Sequence, residues 1–285
     1  REIRRIQITT SRMVTDVFAG EYHSVFKGRG MEFYEVREYV PGDEIRFIDW
    51  NVTARSGHPF VKKFVEEREL TVMLLLDMSA SSFFGTSGQL KMQLAGKLCS
   101  LFALSAIKNN DKVGFIAFTD RIEKFIPPRK GTSHVLRIIR DAIYFKPQGA
   151  GTDLNAALEY LNRITTRKTV TFIISDFFAP DFKKQLAVAN KRHDIIAVTI
   201  TDPRELELPN VGLIKLFDPE SKREFILDTS DKNLRGEYAA RNQRRLKERG
   251  ALFGSVNVDA IDVRTDVPYS RSLMKFFRTR ERRLR

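Results

Sequence analysis

The sequence predicts an α/β protein: a mostly parallel central sheet flanked by helices, preceded by a β-rich, irregular N-terminal extension. Three observations carry this expectation. Residues 70–76 (LTVMLLL) form an uncharged run that stops at Asp77, and residues 169–174 and 194–200 are similar runs ending at Ser175-Asp176 and Thr201-Asp202. Short apolar runs bounded by polar residues are strands buried on both faces, as in the middle of a parallel sheet. Segments of helical period lie between them, and strands alternating with helices imply right-handed parallel crossovers. The strands then point one way, and Asp77 and Asp176 emerge on one edge, the edge where open α/β sheets bind ligands.

In chain order, residues 2–18 place Ile3, Ile6, Met13, Val14, Val17 and Phe18 at helical spacing with Gly20 as the stop, a docking helix. Gly28-Arg-Gly30 is a turn. Residues 36–55 are dense in charge: Pro41-Gly42 turns the chain, Asp43 caps a short helical turn, and Arg37, Arg46 and Arg55 can pair with Glu35, Glu38 or Asp49 around Trp50. That stretch reads either as a salt-bridged structural knot or as an exposed recognition surface built on Arg46, Trp50 and Arg55, the residue types of interface hot spots. Residues 60–65 are extended.

A helix from about residue 89 to 110 turns Leu90, Leu94, Leu98, Leu101, Phe102 and Ile107 toward the sheet. Residues 112–119 and 122–126 form two short strands, Pro127-Pro128 breaks the chain, and 132–145 is helical. The loop 148–153 (QGAGTD) leads into a helix at 154–164, with Thr152 at its N-cap. Residues 213–217 and 223–227 form a hairpin at the sheet margin, 231–249 a basic helix, 255–258 a strand and 270–277 a terminal helix, followed by a frayed tail. These elements divide the chain into an extension (1–69), an α/β domain (70–250) and a C-terminal strand, helix and basic tail (251–285).

Composition narrows the function classes. With 285 residues and 42% hydrophobic content the chain has ample material for a core. No segment approaches the eighteen or so apolar residues of a membrane helix, and no signal peptide is apparent, so a cytoplasmic protein is expected. Cys99, the single cysteine, reads as a packed thiol in a reducing compartment, and the four histidines lack zinc spacing. The net charge of +13 is uneven: residues 231–285 carry 15 basic and 7 acidic groups. Such an end attracts nucleic acid, anionic lipid or an acidic protein surface, or is simply a solvated helix face.

Asp77-Met-Ser79-Ala-Ser81 can converge one carboxylate and two hydroxyls on a point, half of an oxygen shell for a hard cation; the bland alternative is an ordinary helix cap. Together with Thr152 at a Gly-rich helix start and Asp176 after a later strand, this motif resembles the metal-ion-dependent adhesion site of the Rossmann-like von Willebrand factor A fold, over roughly residues 70–250. The resemblance implies that Ser79, Ser81 and Thr152 bind the metal directly, with Asp77 and Asp176 direct or water-mediated. The stretches GRGMEFYEVREYVPGDEIRFIDWNVTAR and VKKFVEERELTVMLLLDMSAS are similar to the bacterial unknown-function family 58. Members of that family are often encoded beside MoxR-type AAA+ ATPases.

The expectation is therefore a non-enzymatic, metal-ion-dependent interaction module. It would bind Mg²⁺ (or Mn²⁺ or Ca²⁺) and serve as adaptor or co-chaperone to a MoxR-type ATPase, whose own or whose client's acidic residue completes the metal shell. Phosphatase chemistry of the Asp-x-Asp type finds Ser79 in place of its second carboxylate, and neither G-x-S-x-G nor G-x-x-x-x-G-K-[ST] occurs. The alternative is a nucleic-acid-binding protein using the basic C-terminal segment, though that tract lacks interleaved exposed aromatics. A hydrolase of unknown type stands behind both.

Overall fold

A computed structural model describes residues 19–26, 32–65, 69–86, 88–218 and 223–284. Strand β3 (Thr71–Asp77) lies in the middle of a six-stranded sheet with β4 (Lys112–Phe118), β5 (Ile122–Arg129), β6 (Val170–Ser175), β7 (Asp194–Thr201) and β10 (Asp259–Arg264), in the order β10-β7-β6-β3-β4-β5. All neighbours are parallel except β5, which runs antiparallel to β4 at one margin. The predicted mostly parallel α/β architecture is the one found.

Alternation along the strands sends side chains to opposite faces. On one face Val72, Leu74 and Leu76 pack with helices α3 (Lys91–Lys108), α4 (Thr132–Tyr144), α9 (Tyr269–Leu284) and α1 (Ala19–Phe26). Phe102 of α3 stacks on Phe172 of β6 at 4.0 Å, and Phe26 of α1 meets the same ring edge-on at 5.7 Å. On the other face Met73, Leu75 and Ile173 pack with α5 (Leu154–Ile164), α6 (Lys183–Arg192) and the end of α8 (Lys232–Ser255). Cys99 is fully buried in the first of these cores, and burial pushes its thiol well above the ordinary range, as expected of a packed thiol.

Two smaller units complete the chain. Strands β1 (Glu32–Glu38) and β2 (Phe60–Val65) pair antiparallel, bracketing α2 (Trp50–Ser56). Strands β8 (Leu213–Asp218) and β9 (Arg223–Asp228) form a separate hairpin, preceded by the short α7 (Pro203–Leu206).

Several expectations need correction. The hairpin is a sheet of its own and not a margin of the central one. Pro127 and Pro128 do not break the chain: β5 runs through both, at a sheet edge where its pairing with β4 is irregular between Val113 and Phe115, a place that tolerates residues without an N–H. Asp153 and not Thr152 caps α5, accepting from Ala156 N at 3.0 Å, since a carboxylate competes better than a hydroxyl for that donor. Helix α8 continues to Ser255 and the last strand starts at Asp259, because Phe253 still faces the core. Helix α9 runs on to Leu284, tied by Arg280 and Arg283 to Asp259, so the tail is not frayed before that point.

Gly20 lies inside α1 and not at a helix stop, because Tyr22, Val25 and Phe26 give that segment its own apolar stripe. In the charged stretch Arg37 grips Asp43 through two hydrogen bonds of 2.7 and 2.8 Å, Arg46 pairs with Glu44, and Asp49 caps α2 and faces Lys62. None of these pairs encloses Trp50 as a knot would. The helix expected at 2–18 and the turn at 28–30 lie outside the described residues, apart from the start of α1 beyond them.

At the amino-terminal edge, opposite the strand ends, His193 is buried between the starts of β6 and β7. Thr169 N reaches its Nδ1 at 3.3 Å, and the hydroxyls of Thr169 and Thr165 lie at 3.0 and 3.3 Å. Burial, followed by the nearby Arg192 and Lys168, lowers its pKa to about 4. The unfolded chain takes up this proton near its ordinary value of about 6.5, whereas the fold resists it. The stability is thus complete above that value and is lost as pH falls from there to about 4, by up to about 3 kcal/mol. Urea unfolding at stepped pH should show this acid slope, and His193→Gln should flatten it; an unchanged slope in the variant would assign the loss to other groups.

Candidate functional site

Strand β3 delivers Asp77 to the carboxyl edge, where it is 1% exposed. Ser79 N–H donates to its Oδ1 at 2.9 Å and the Ser175 hydroxyl to its Oδ2 at 2.6 Å, so the ends of β3 and β6 share one carboxylate. The Ser79 and Ser81 hydroxyl oxygens stand 3.1 Å apart, and Ser81 Oγ donates to Asp176 Oδ2 at 2.8 Å. Asp176 is held in place by a turn in which Phe177 adopts a left-handed φ of 58°. A non-glycine residue tolerates this only when its surroundings enforce it; here Phe177 N–H donates to Ser175 Oγ and the ring is wedged against Phe182 and Phe253.

The Gly-rich loop is clipped onto this cluster. Ala80 N–H donates to Ala150 O at 2.8 Å, and Asp153 N–H to Thr119 O at 2.8 Å. Half-buried Thr152 stands between these clips, two residues from Ala150, and therefore within about 8 Å of it along the chain. Glu123 Oε1 accepts from Gln148 N, Gly149 N and the Thr119 hydroxyl, and these bonds outweigh the effect of burial to hold its pKa below the ordinary range. A Cβ on Gly149 would lie 2.2 Å from Oγ1 and 3.0 Å from Cβ of fully buried Thr119, so a larger residue would push the loop off that approach. Of the five residues singled out for a metal, the structure joins Asp77, Ser79, Ser81 and Asp176 by hydrogen bonds and sets the Thr152 loop beside them.

A metal bound octahedrally with oxygens at 2.0–2.1 Å has neighbouring ligand oxygens about 3 Å apart. The Ser79–Ser81 spacing of 3.1 Å and the Ser81–Asp176 spacing of 2.8 Å have that length, so the donor set fits a hard cation. Among the described residues no three His, Cys, Asp or Glu side chains gather as a metal cluster, so a metal here would depend on hydroxyls. Burial, followed by repulsion from Asp176, pushes the Asp77 carboxyl up to about 6, and a cation would relieve both causes.

Lys91 was missed in the sequence. It opens α3, is 2% exposed, and its ammonium donates to Asp176 Oδ2 at 2.8 Å and Glu205 Oε1 at 2.5 Å. Burial alone would lower its pKa, but Asp176 and Glu205 outweigh that and keep it above its ordinary value. Burial raises Glu205 in spite of Lys91. A signal existed: a lysine in the first turn of a helix opposes the helix dipole and needs a reason to be there.

Asp202, at the end of β7, was also overlooked. It is fully buried, accepts from Thr86 N at 2.9 Å, Thr86 Oγ1 at 2.5 Å and Thr265 Oγ1 at 2.7 Å, and caps α7. It anchors the loop after Ser81 to β7 and β10. The proposed surface residues lie elsewhere, in the β1–β2 unit: Trp50 is 66% exposed beside exposed Arg46 and Arg55, and Arg46 stacks over Phe47 at 4.9 Å.

Comparison with known proteins adds the following. The family described as "Protein of unknown function DUF58" matches residues 35–248. The uncharacterized protein Rv1480 of Mycobacterium tuberculosis is 30% identical over 285 residues, 98% of this chain and 89% of that protein. Among solved structures, the conserved hypothetical protein BatB from Bacteroides thetaiotaomicron is similar with a TM-score of 0.48 at 16% identity, over 75% of this chain and 99% of that one. The SpRpn10 VWA domain is similar with a TM-score of 0.40 at 10% identity, over 73% and 95%.

Removing one partner of a buried ion pair strands the other charge and costs about 3–5 kcal/mol. Lys91→Met should therefore destabilise the protein by about that amount in urea unfolding. Adding Asp176→Asn and Glu205→Gln should recover most of the loss; if it does not, Lys91 contributes by packing and not by charge.

Proposed function

The chain belongs to the family described as protein of unknown function DUF58, and we propose that it is a metal-ion-dependent protein-interaction module. Its partner would be a MoxR-type AAA+ ATPase, for which it would act as adaptor or co-chaperone. The observation that carries the metal half is the trio of Ser79, Ser81 and Asp176 oxygens at octahedral-edge spacing on the carboxyl edge of the sheet. The ATPase half rests on the family resemblance.

Ser79, Ser81 and Thr152 would hold the ion, Mg²⁺ or alternatively Mn²⁺ or Ca²⁺. Asp77 already spends both oxygens on Ser79 N–H and the Ser175 hydroxyl, which suits a water-mediated role, whereas Asp176 would reach the ion with the oxygen it now shares between Ser81 and Lys91. The bound ion supplies an electron-poor coordination position that an Asp or Glu of the partner can fill. Glu123, Gly149 and Ala150 would keep the Thr152 loop in reach, so that little ordering remains when the partner arrives. Among the described residues at this edge the Ser81 and Ser175 hydroxyls meet carboxylates that are engaged by further donors, and a binding role suits the donor set better than a catalytic one.

The rival reading uses α8, which bears Lys232, Arg235, Arg241, Arg244, Arg245, Lys247 and Arg249 against Glu237 and Glu248. A nucleic-acid ligand there would bind independently of metal and weaken steeply with salt.

Calorimetric titration of Mg²⁺ into the protein should show saturable binding that an Asp77→Ala/Ser79→Ala double variant loses. At a hundredfold excess over Kd, Mg²⁺ should add about 2.7 kcal/mol of stability to the unmutated protein alone. Pull-down of the MoxR-type ATPase should succeed in Mg²⁺ and fail in EDTA. Equal capture by the double variant would sink the role given to this site.

A further inference from the structure

A cavity of about 720 Å³ touches the oxygen cluster without belonging to it. Ser81 forms one end; Phe83 and Phe84 from the following turn, Leu216 and Phe225 from the β8–β9 hairpin, and Tyr238 of α8 form much of the rest. We propose that this groove is a docking subsite for an acidic, aromatic- or leucine-anchored segment of a partner protein. The segment's Glu or Asp lies at the Ser81 end and its large apolar side chain sits among Phe83, Phe84, Leu216 and Phe225. The acidic end of this assignment rests on the metal-dependent reading above; the apolar end does not.

The apolar end follows from what the fold leaves uncovered. Phe83, Phe84 and Phe225 are 48%, 40% and 48% exposed, and they converge on one concavity beside a polar cluster. A contiguous exposed apolar patch with a polar rim marks an interaction site. The hairpin's existence points the same way. Two strands outside any larger sheet are marginal in water and need a covered face. Ile214 and Leu216 are half-buried along the groove while Lys215 between them is exposed, and exposed Phe217 also borders it. Both strands are also edges, so their outer backbone groups can pair with an extended chain, which favours a peptide segment over a small molecule.

The sign of the partner follows from the charges on the walls. Glu205 is already satisfied by Lys91 at 2.5 Å and by Asp202 N–H at 2.9 Å. Arg204 is exposed and makes no ion pair among the described residues. On α8, Arg241 and Arg245 follow Tyr238 at helical spacing and are exposed, although Tyr238 itself feels the charge of Glu205 more strongly than either of them. Glu205 shares the Lys91 charge with Asp176 and is turned to its own hydrogen bonds, while Arg204 on the wall and Arg241 and Arg245 on the adjoining helix stay open, so an anionic segment is drawn in and a cationic one repelled.

The test uses fluorescein-labelled dodecapeptides on a Gly/Ser background, followed by anisotropy in millimolar Mg²⁺. One set carries a Glu with a Phe or Leu one to four residues away; the others carry Glu alone, Phe alone, or Lys with Phe. The first set should bind at least tenfold more tightly than the others. Phe83→Ser and Phe225→Ser, both at exposed positions that leave the fold intact by circular dichroism, should each weaken that binding tenfold or more without changing Mg²⁺ affinity. Mg²⁺-dependent binding of Glu peptides that ignores both the apolar residue and the two variants overturns the groove and leaves the metal reading standing. Groove-dependent binding that survives EDTA upholds the groove and overturns the metal reading. Equal binding of the Lys–Phe set, or no binding by any set, overturns the proposal.

Discussion

Charges that water cannot reach must be solvated by one another, and at the carboxyl edge of this sheet that task falls on Lys91. Parallel crossovers bring strand ends together by geometry, and here β3 ends in an acidic residue while β6 and β7 are each followed by one. Asp77, Asp176 and Asp202 are therefore crowded into a dry margin, with Glu205 next to them. Hydroxyls and amides satisfy Asp77 and Asp202, while Asp176 and Glu205 meet an ammonium. The other features of the site, from the strained Phe177 turn to the capped α7, are arrangements that keep these acids apart from each other and close to their donors.

The same reasoning separates what is structural from what is available. Asp202 is spent: its bonds fasten Thr86 and Thr265, and through them the loop after Ser81, to β7 and β10. Glu123 is spent in the same way on the glycine loop. The Ser81 hydroxyl gives its one proton to Asp176, and the oxygens of Ser79 and Ser81 keep lone pairs for a ligand. Rigid acids beneath and adaptable hydroxyls above make a platform on which ligand geometry is set before a partner arrives.

The fold and much of the candidate site were legible because they depend on local pattern. The run ending at Asp77 has nothing to be except a buried strand, and Asp77, Ser79, Ser81 and Asp176 meet because the topology of alternating strands and helices requires it. The misplaced lysine at the start of α3 hinted at a buried partner, but which one was not legible, since its pairing with Glu205 joins residues 114 apart in the chain. Thr152 was assigned the cap that Asp153 takes, a contest between adjacent acceptors that composition alone does not decide. The limits of α8 and α9 were missed because polar faces dominate those helices, and only contact with the sheet shows how far each continues.

The paired prolines in β5 have a further consequence. That strand closes one margin of the sheet, and because consecutive N–H groups point to opposite sides, one proline of the pair takes a donor from its outer edge. Strand-by-strand addition, the common fate of an exposed sheet margin, is thereby hindered over the end of this flank.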